Sequence, residues 1–98
     1  MTGIWKLYGM FQAFVQDKDI YVGQPMIKNA GSDSEQRTEI TDLCLDQTEM
    51  NLSVTGKDFS YDCNLGAMSL VGAVPGKYLE IRNNLEQTNY RLLMKPKE

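Results

Sequence analysis

Apolar and polar residues alternate along most of the chain, a pattern typical of β-strands that bury one face. The first predicted strand covers residues 4–15, where the residues of one phase are Trp5, Leu7, Phe11 and Val15. Gly9, inside this run, indicates a bend or a bulge. Asp17-Lys18-Asp19 predicts a turn, and Ile20-Tyr21-Val22 a second strand that ends at Gly23-Gln24-Pro25.

The second half of the chain predicts a series of hairpins. In the clearest one, Met50, Leu52 and Val54 precede the turn Gly56-Lys57-Asp58, and Phe59, Tyr61 and Cys63 follow it. Further strands are expected over Ala67 to Val74, Tyr78 to Arg82 and Tyr90 to Met94. The turns between them are Pro75-Gly76-Lys77 and Asn83-Asn84.

Residues 31–47 allow two interpretations. Ser32 and Glu35 have the spacing of a helical capping box, and Ile40, Leu43 and Cys44 stand at helical spacing. Leu43 and Leu45 also flank Cys44, as in a short strand. We favour a polar loop through Arg37 and a strand from about Glu39 to Asp46.

Together these elements predict one all-β, or nearly all-β, domain over residues 1–98. Turns every 8–12 residues or so are typical of a small antiparallel meander barrel or sandwich. The shared phase predicts a core of Trp5, Leu7, Phe11, Leu52, Val54, Phe59, Tyr61, Leu70, Ile81, Leu92 and at least one cysteine.

The net charge of the chain argues against two classes of binding partner. Its formal net charge of −3 disfavours nucleic acids and anionic membrane surfaces. Neither a membrane-spanning apolar run nor a secretory signal is present, so we expect a cytoplasmic protein.

The acidic residues are unevenly distributed. Residues 32–50 have a net charge of −5 and the remainder about +2. The segment is either a solvated polar surface or a surface that attracts a basic protein. On the second interpretation the predicted binding residues are Asp33, Glu35, Glu39, Asp42, Asp46 and Glu49.

Gly3-Ile4-Trp5-Lys6-Leu7 resembles the opening of the calycins, the superfamily of lipocalins and fatty-acid-binding proteins. The resemblance implies a calycin-like barrel in which Trp5 starts the first strand. It also implies that Arg91, on the last strand, lies across the Trp5 ring. Such a cation–π contact contributes about 0.5–2 kcal/mol. The match covers five residues at one end and one at the other.

The residues that most enzymes rely on are scarce. The chain has no histidine, which removes the commonest general base and most zinc and copper ligands. Asp42 with Asp46, or Asp58 with Asp62, are carboxylate pairs, but such spacings are common on exposed faces. We therefore expect no enzymatic activity, no metal site and no cofactor.

The two cysteines leave several states open. Cys63 shares its phase with Phe59 and Tyr61 and is expected to be a small core residue. A disulfide with Cys44, which would require export, and a reactive thiol are the alternatives.

Two functions remain as hypotheses. The first is an acidic inhibitor or immunity protein that neutralises a basic protein, such as a nuclease toxin, by covering its active site. The second is a small calycin-like carrier of an apolar small molecule. Bulky inward residues argue against a cavity of the roughly 300–1,000 Å³ that drug-sized ligands need.

Overall fold

Seven antiparallel strands form a single sheet in the computed structural model, which describes residues 3–17, 23–74 and 76–94. The elements are α1 (Gly3–Asp17), β1 (Pro25–Lys28), β2 (Gln36–Asp46), β3 (Asn51–Gly56), β4 (Phe59–Asn64), a 3₁₀ turn (Leu65–Ala67), β5 (Met68–Val74), β6 (Tyr78–Asn83) and β7 (Thr88–Leu93). The strand order is β4-β3-β2-β1-β7-β6-β5. The predicted mostly β, antiparallel architecture is confirmed.

The sheet curls around its core. β4 and β5 are the two edge strands, yet only the 3₁₀ turn of three residues separates them along the chain. Tyr61 of β4 also stacks on Tyr90 of β7, with ring centroids 4.3 Å apart. Within the described residues no ladder joins β4 to β5, so the sheet is strongly curled but open.

The first element is a helix, so the strand predicted over residues 4–15 is wrong. Leu7, Tyr8 and Phe11 are buried, and their spacing places them on one side of a helix. The helix packs against the 3₁₀ turn, near the point where the two edge strands approach each other. The contact of this segment with a distant part of the chain thus favours a helix, whose apolar residues recur every three to four positions, over a strand, where they recur every two.

Trp5 does not belong to the core, contrary to our prediction. It lies on α1 with half of its surface exposed, and its ring meets Tyr8 edge-on at 6.4 Å. On a helix Trp5 turns away from the side that carries Leu7 and Phe11. The Gly3-x-Trp5 pattern therefore stands on a helix in this protein.

Most of the other predicted core residues are buried. Those confirmed are Leu7, Phe11, Leu52, Val54, Tyr61, Cys63, Ile81 and Leu92, with Phe59 partly buried against them. Leu70 is the exception, 47% exposed on edge strand β5. The register with β6 shifts between Leu70 and Gly72, so one extra residue interrupts the alternation there.

The predicted hairpins agree with the observed strands. In β3–β4, Leu52 pairs with Cys63 and Val54 with Tyr61. The strand favoured from about Glu39 to Asp46 is confirmed as part of β2, but β2 begins at Gln36, so the loop predicted through Arg37 ends two residues earlier. Pro25, predicted to end a strand, begins β1, where its missing N–H is tolerated. The strand predicted over 20–22, most of the turn over 17–19, and Pro75 lie outside the described residues.

Candidate functional site

Four exposed carboxylates lie on the convex side of the part of the sheet formed by β2, β3 and β4. We call the four outward carboxylates Glu39, Asp42, Asp46 and Asp62 the acidic face; all four are exposed. Because side chains alternate along a strand, Asp42 and Asp46 point away from the side to which Leu43 and Leu45 contribute.

A β-bulge in β2 produces this arrangement. Ile40 and Leu43 are three residues apart and would point to opposite faces of a regular strand. The register shifts between Ile40 and Asp42, which makes Thr41 the extra residue. The bulge lets Ile40 be fully buried and Leu43 pack against the core, while Asp42 stays outside.

Neighbouring strands extend the face with short polar side chains. Three cross-strand rows continue from β2 through β3 to β4: Asp42–Thr55–Ser60, Cys44–Ser53–Asp62 and Asp46–Asn51–Asn64. No lysine or arginine occurs in these rows. The charge of the acidic face is therefore not neutralised within the rows.

The six predicted binding residues do not form one compact group. Glu39, Asp42 and Asp46 belong to the acidic face. Asp33 and Glu35 precede β2, and Glu49 lies in the turn after it. Since β2 has eleven residues, these two ends are about 35 Å apart.

Two of the predicted carboxylates also have local partners. Glu35 forms an ion pair of 3.3 Å with Arg37, so its charge is compensated. Asp46 Oδ1 accepts the N–H groups of Thr48 and Glu49 at 2.8 and 3.1 Å. Asp46 therefore closes the β2–β3 turn as well as contributing charge.

Asp62 is a member that we did not predict. The alternation of β4 already indicates that Ser60 and Asp62 face outward. Only the observed register, which aligns Asp62 with Ser53 and Cys44, shows that β2 and β4 share this face.

The predicted contact between Arg91 and Trp5 is wrong. The Arg91 guanidinium lies over the Tyr78 ring, 4.3 Å from its centroid. It also donates to Glu80 Oε1 at 2.9 Å. Arg91 therefore stabilises the pairing of β6 with β7, because Glu80 and Arg91 are partners in that register.

Both cysteines are free thiols. Cys63 is buried as predicted, and burial raises its pKa, which disfavours the reactive thiolate. Cys44 is exposed on a row of the acidic face.

No group of three Cys, Asp or Glu side chains among residues 3–17, 23–74 and 76–94 has the geometry of a metal site. In the same part of the chain, no helix combines the length and the apolar character that a bilayer crossing requires.

Comparison of the chain with protein families, with curated proteins and with solved structures finds no match.

Proposed function

We propose that this protein is a non-enzymatic binding protein whose acidic face docks onto a basic protein. An inhibitor or immunity protein that covers the active site of a nuclease toxin is the form we favour. The observation that carries this proposal is the placement of Glu39, Asp42, Asp46 and Asp62 on one side of three adjacent strands.

The spacing of the carboxylates supports this use. Three to four residues along β2 separate Glu39, Asp42 and Asp46, and two strand spacings separate Asp62 from β2, so neighbouring carboxylates lie about 10–13 Å apart. The screening length is about 8 Å at physiological salt and longer at low salt. The four charges therefore reinforce one another most at low salt, where they accelerate association with a positively charged partner.

The side chains of the face also suit docking. Serine, threonine, asparagine and aspartate are short and attached to a hydrogen-bonded sheet. Ordering them on binding costs less conformational entropy than ordering lysine or glutamine would. A nuclease active site is basic because it binds phosphates, so an acidic sheet face offers complementary charge.

The alternative, a carrier of an apolar molecule, has less support. The concave side of the sheet is filled by side chains of the sheet and of α1, among which Phe11, Leu52, Ile81, Tyr90 and Leu92 are almost completely buried. An apolar ligand in the middle of the molecule would have to displace them.

The test compares two triple variants that remove equal charge. The face variant is Glu39→Gln, Asp42→Asn and Asp46→Asn, in which the amide introduced at position 46 retains an oxygen that can close the turn. The control variant is Asp33→Asn, Glu35→Gln and Glu49→Gln, at the two ends of β2. Both lose three negative charges, so the comparison separates local from overall charge.

Affinity for the partner isolated by pull-down is measured at about 50 and about 300 mM salt. We expect the face variant to bind about tenfold more weakly at low salt and to lose most of the salt dependence, since each exposed charge contributes about 0.5 kcal/mol. The control variant should change affinity less than about threefold. Equal losses in both variants, or binding that ignores salt, would refute the proposal.

A further inference from the structure

A small pocket opens at one end of the curled sheet, where the end of β1, the start of β2 and the β3–β4 turn meet. Its volume is about 190 Å³. The residues that line it are Met26, Lys28, Gln36, Arg37, Thr38, Lys57, Asp58, Phe59 and Tyr90. None of them belongs to the acidic face.

The lining combines an apolar part with a cationic part. Met26 and Tyr90 are 1% exposed and Phe59 is partly buried, so these three side chains are continuous with the core. Arg37 is paired with Glu35, so Lys28 and Lys57 supply the two remaining positive charges of the lining, against one carboxylate, Asp58. In a chain whose net charge is −3, this pocket is locally positive.

The position of Lys28 is unusual for a lysine. It shares the inward phase of Met26 on β1, a strand in the middle of the sheet, and pairs with Tyr90 on β7. Its side chain is half-buried. Among the described residues, the ion pairs are Arg37–Glu35 and Arg91–Glu80. Lys28 thus directs a charge toward the pocket without a carboxylate partner in that part of the chain.

The β3–β4 turn is fixed over the pocket by contacts with β2. Lys57 N–H donates to the Glu39 carbonyl at 3.3 Å, and Thr38 Oγ1 donates to the Lys57 carbonyl at 3.4 Å. Gly56 permits this close approach, since a Cβ atom there would lie 2.6 Å from the Glu39 oxygen. Lys57 is therefore held at the pocket mouth by its backbone.

We propose that this pocket binds a small carboxylate with an aromatic or branched aliphatic body. The volume corresponds to about six water molecules, which fits a ligand of benzoate size. Phe59 would contact the apolar body above the buried Met26 and Tyr90 side chains, and Lys28 and Lys57 would donate charge-assisted hydrogen bonds to the carboxylate. This site is independent of the acidic face and of the function proposed for it.

The test uses benzoate, benzamide and inorganic phosphate as probes of the purified protein. The Met26 methyl signal and the aromatic signals of Phe59 and Tyr90 are followed by NMR during each titration. We expect saturable shifts with benzoate and at least about tenfold weaker binding of benzamide, which has the same shape without the charge. Phosphate, which has no apolar body, should bind more weakly than benzoate.

Variants locate the binding. Lys28→Met keeps an unbranched stem and removes the charge, and should weaken benzoate binding at least about fivefold. Lys57→Met is the second test, in case the first variant perturbs folding. Lys77→Met, in the turn before β6, is the matched control and should bind benzoate as the parent does. No saturable shift at about 20 mM benzoate, equal binding of benzamide or phosphate, or undiminished binding by both pocket variants would overturn the proposal.

Discussion

At the scale of single residues, Asn83 connects two distant parts of the fold. Its Nδ2 donates to the Tyr61 hydroxyl at 3.3 Å, across 22 positions of the chain. Its Oδ1 accepts the N–H groups of Leu85 and Glu86 at 3.0 and 3.1 Å. The Asn83 side chain is only 5% exposed, so water cannot readily replace these partners.

We expect Asn83→Ala to lower the free energy of unfolding by about 2–3 kcal/mol, because it removes three hydrogen bonds and leaves the buried Tyr61 hydroxyl short of a donor. Asn84→Ala is the matched control. Asn84 donates to Ser69 Oγ at 2.8 Å on the exposed side of the same turn, and its loss should cost less than about 1 kcal/mol. Urea denaturation of the parent and both variants measures the difference. Equal costs would show that Asn83 is not a special link.

The sequence indicates a turn at Asn83-Asn84 without telling the two residues apart. The turn covers residues 84–87, and Asn83 is the last residue of β6, in the inward phase of Leu79 and Ile81. Its partner Tyr61 belongs to the opposite edge of the sheet. A hydrogen bond of this range depends on the curl of the sheet, which local patterns do not specify.

At the scale of elements, α1 shows how one segment can satisfy two patterns. Trp5, Leu7, Phe11 and Val15 share a two-residue phase, whereas Leu7, Tyr8 and Phe11 fit a helix. The segment contains few β-branched residues and no proline, so local propensity does not oppose a helix. Its apolar side covers the 3₁₀ turn, a contact that cannot be derived from the segment itself.

Gly9→Ala distinguishes the two structures of this segment. Gly9 is exposed in the middle of α1, and a Cβ atom there would meet nothing within 4 Å. We expect the substitution to raise the free energy of unfolding by about 0.5–1 kcal/mol, since alanine is a better helix former. The control is Gly72→Ala beside the β5 bulge, which also has open space but gains no helix propensity. Thermal denaturation that shows no gain for Gly9→Ala would argue against the helix.

The β2 bulge explains why the sequence alone allows two interpretations of residues 31–47. The odd spacing of Ile40 and Leu43 fits a helix or an irregular strand. The bulge at Thr41 makes the segment an irregular strand, in which Ile40 and Leu43 both lie on the core side. Once the strand is known, the outward direction of Asp42 and Asp46 follows from alternation, whereas the separation of Asp33 and Glu49 follows from the length of β2.

At the scale of the whole molecule, three ionisable core side chains connect two strands that are distant in the sheet order, β4 and β7. Tyr61 and Cys63 belong to β4, and Tyr90 belongs to β7. The Tyr90 hydroxyl donates to Glu86 Oε1 at 2.6 Å. Burial is the main cause that raises the pKa of each of these three groups in the folded protein. Their neutral forms are therefore part of the native packing.

This cluster predicts that stability falls at alkaline pH. In the unfolded chain a tyrosine ionises near pH 10 and a cysteine near pH 8.5. Above those values the unfolded state releases protons that the folded state retains, so the free energy of unfolding decreases as the pH rises. Below those values the stabilisation by the neutral groups is fully present.

Urea midpoints measured between about pH 8 and about pH 10.5 should decline. They should decline less steeply for Tyr61→Phe, because one ionisable group is then missing from the unfolded state. Tyr78→Phe, which removes a hydroxyl from the side of β6 that carries Glu80, is the control. A slope for Tyr61→Phe as steep as that of the parent would show that burial of Tyr61 does not couple its proton to folding.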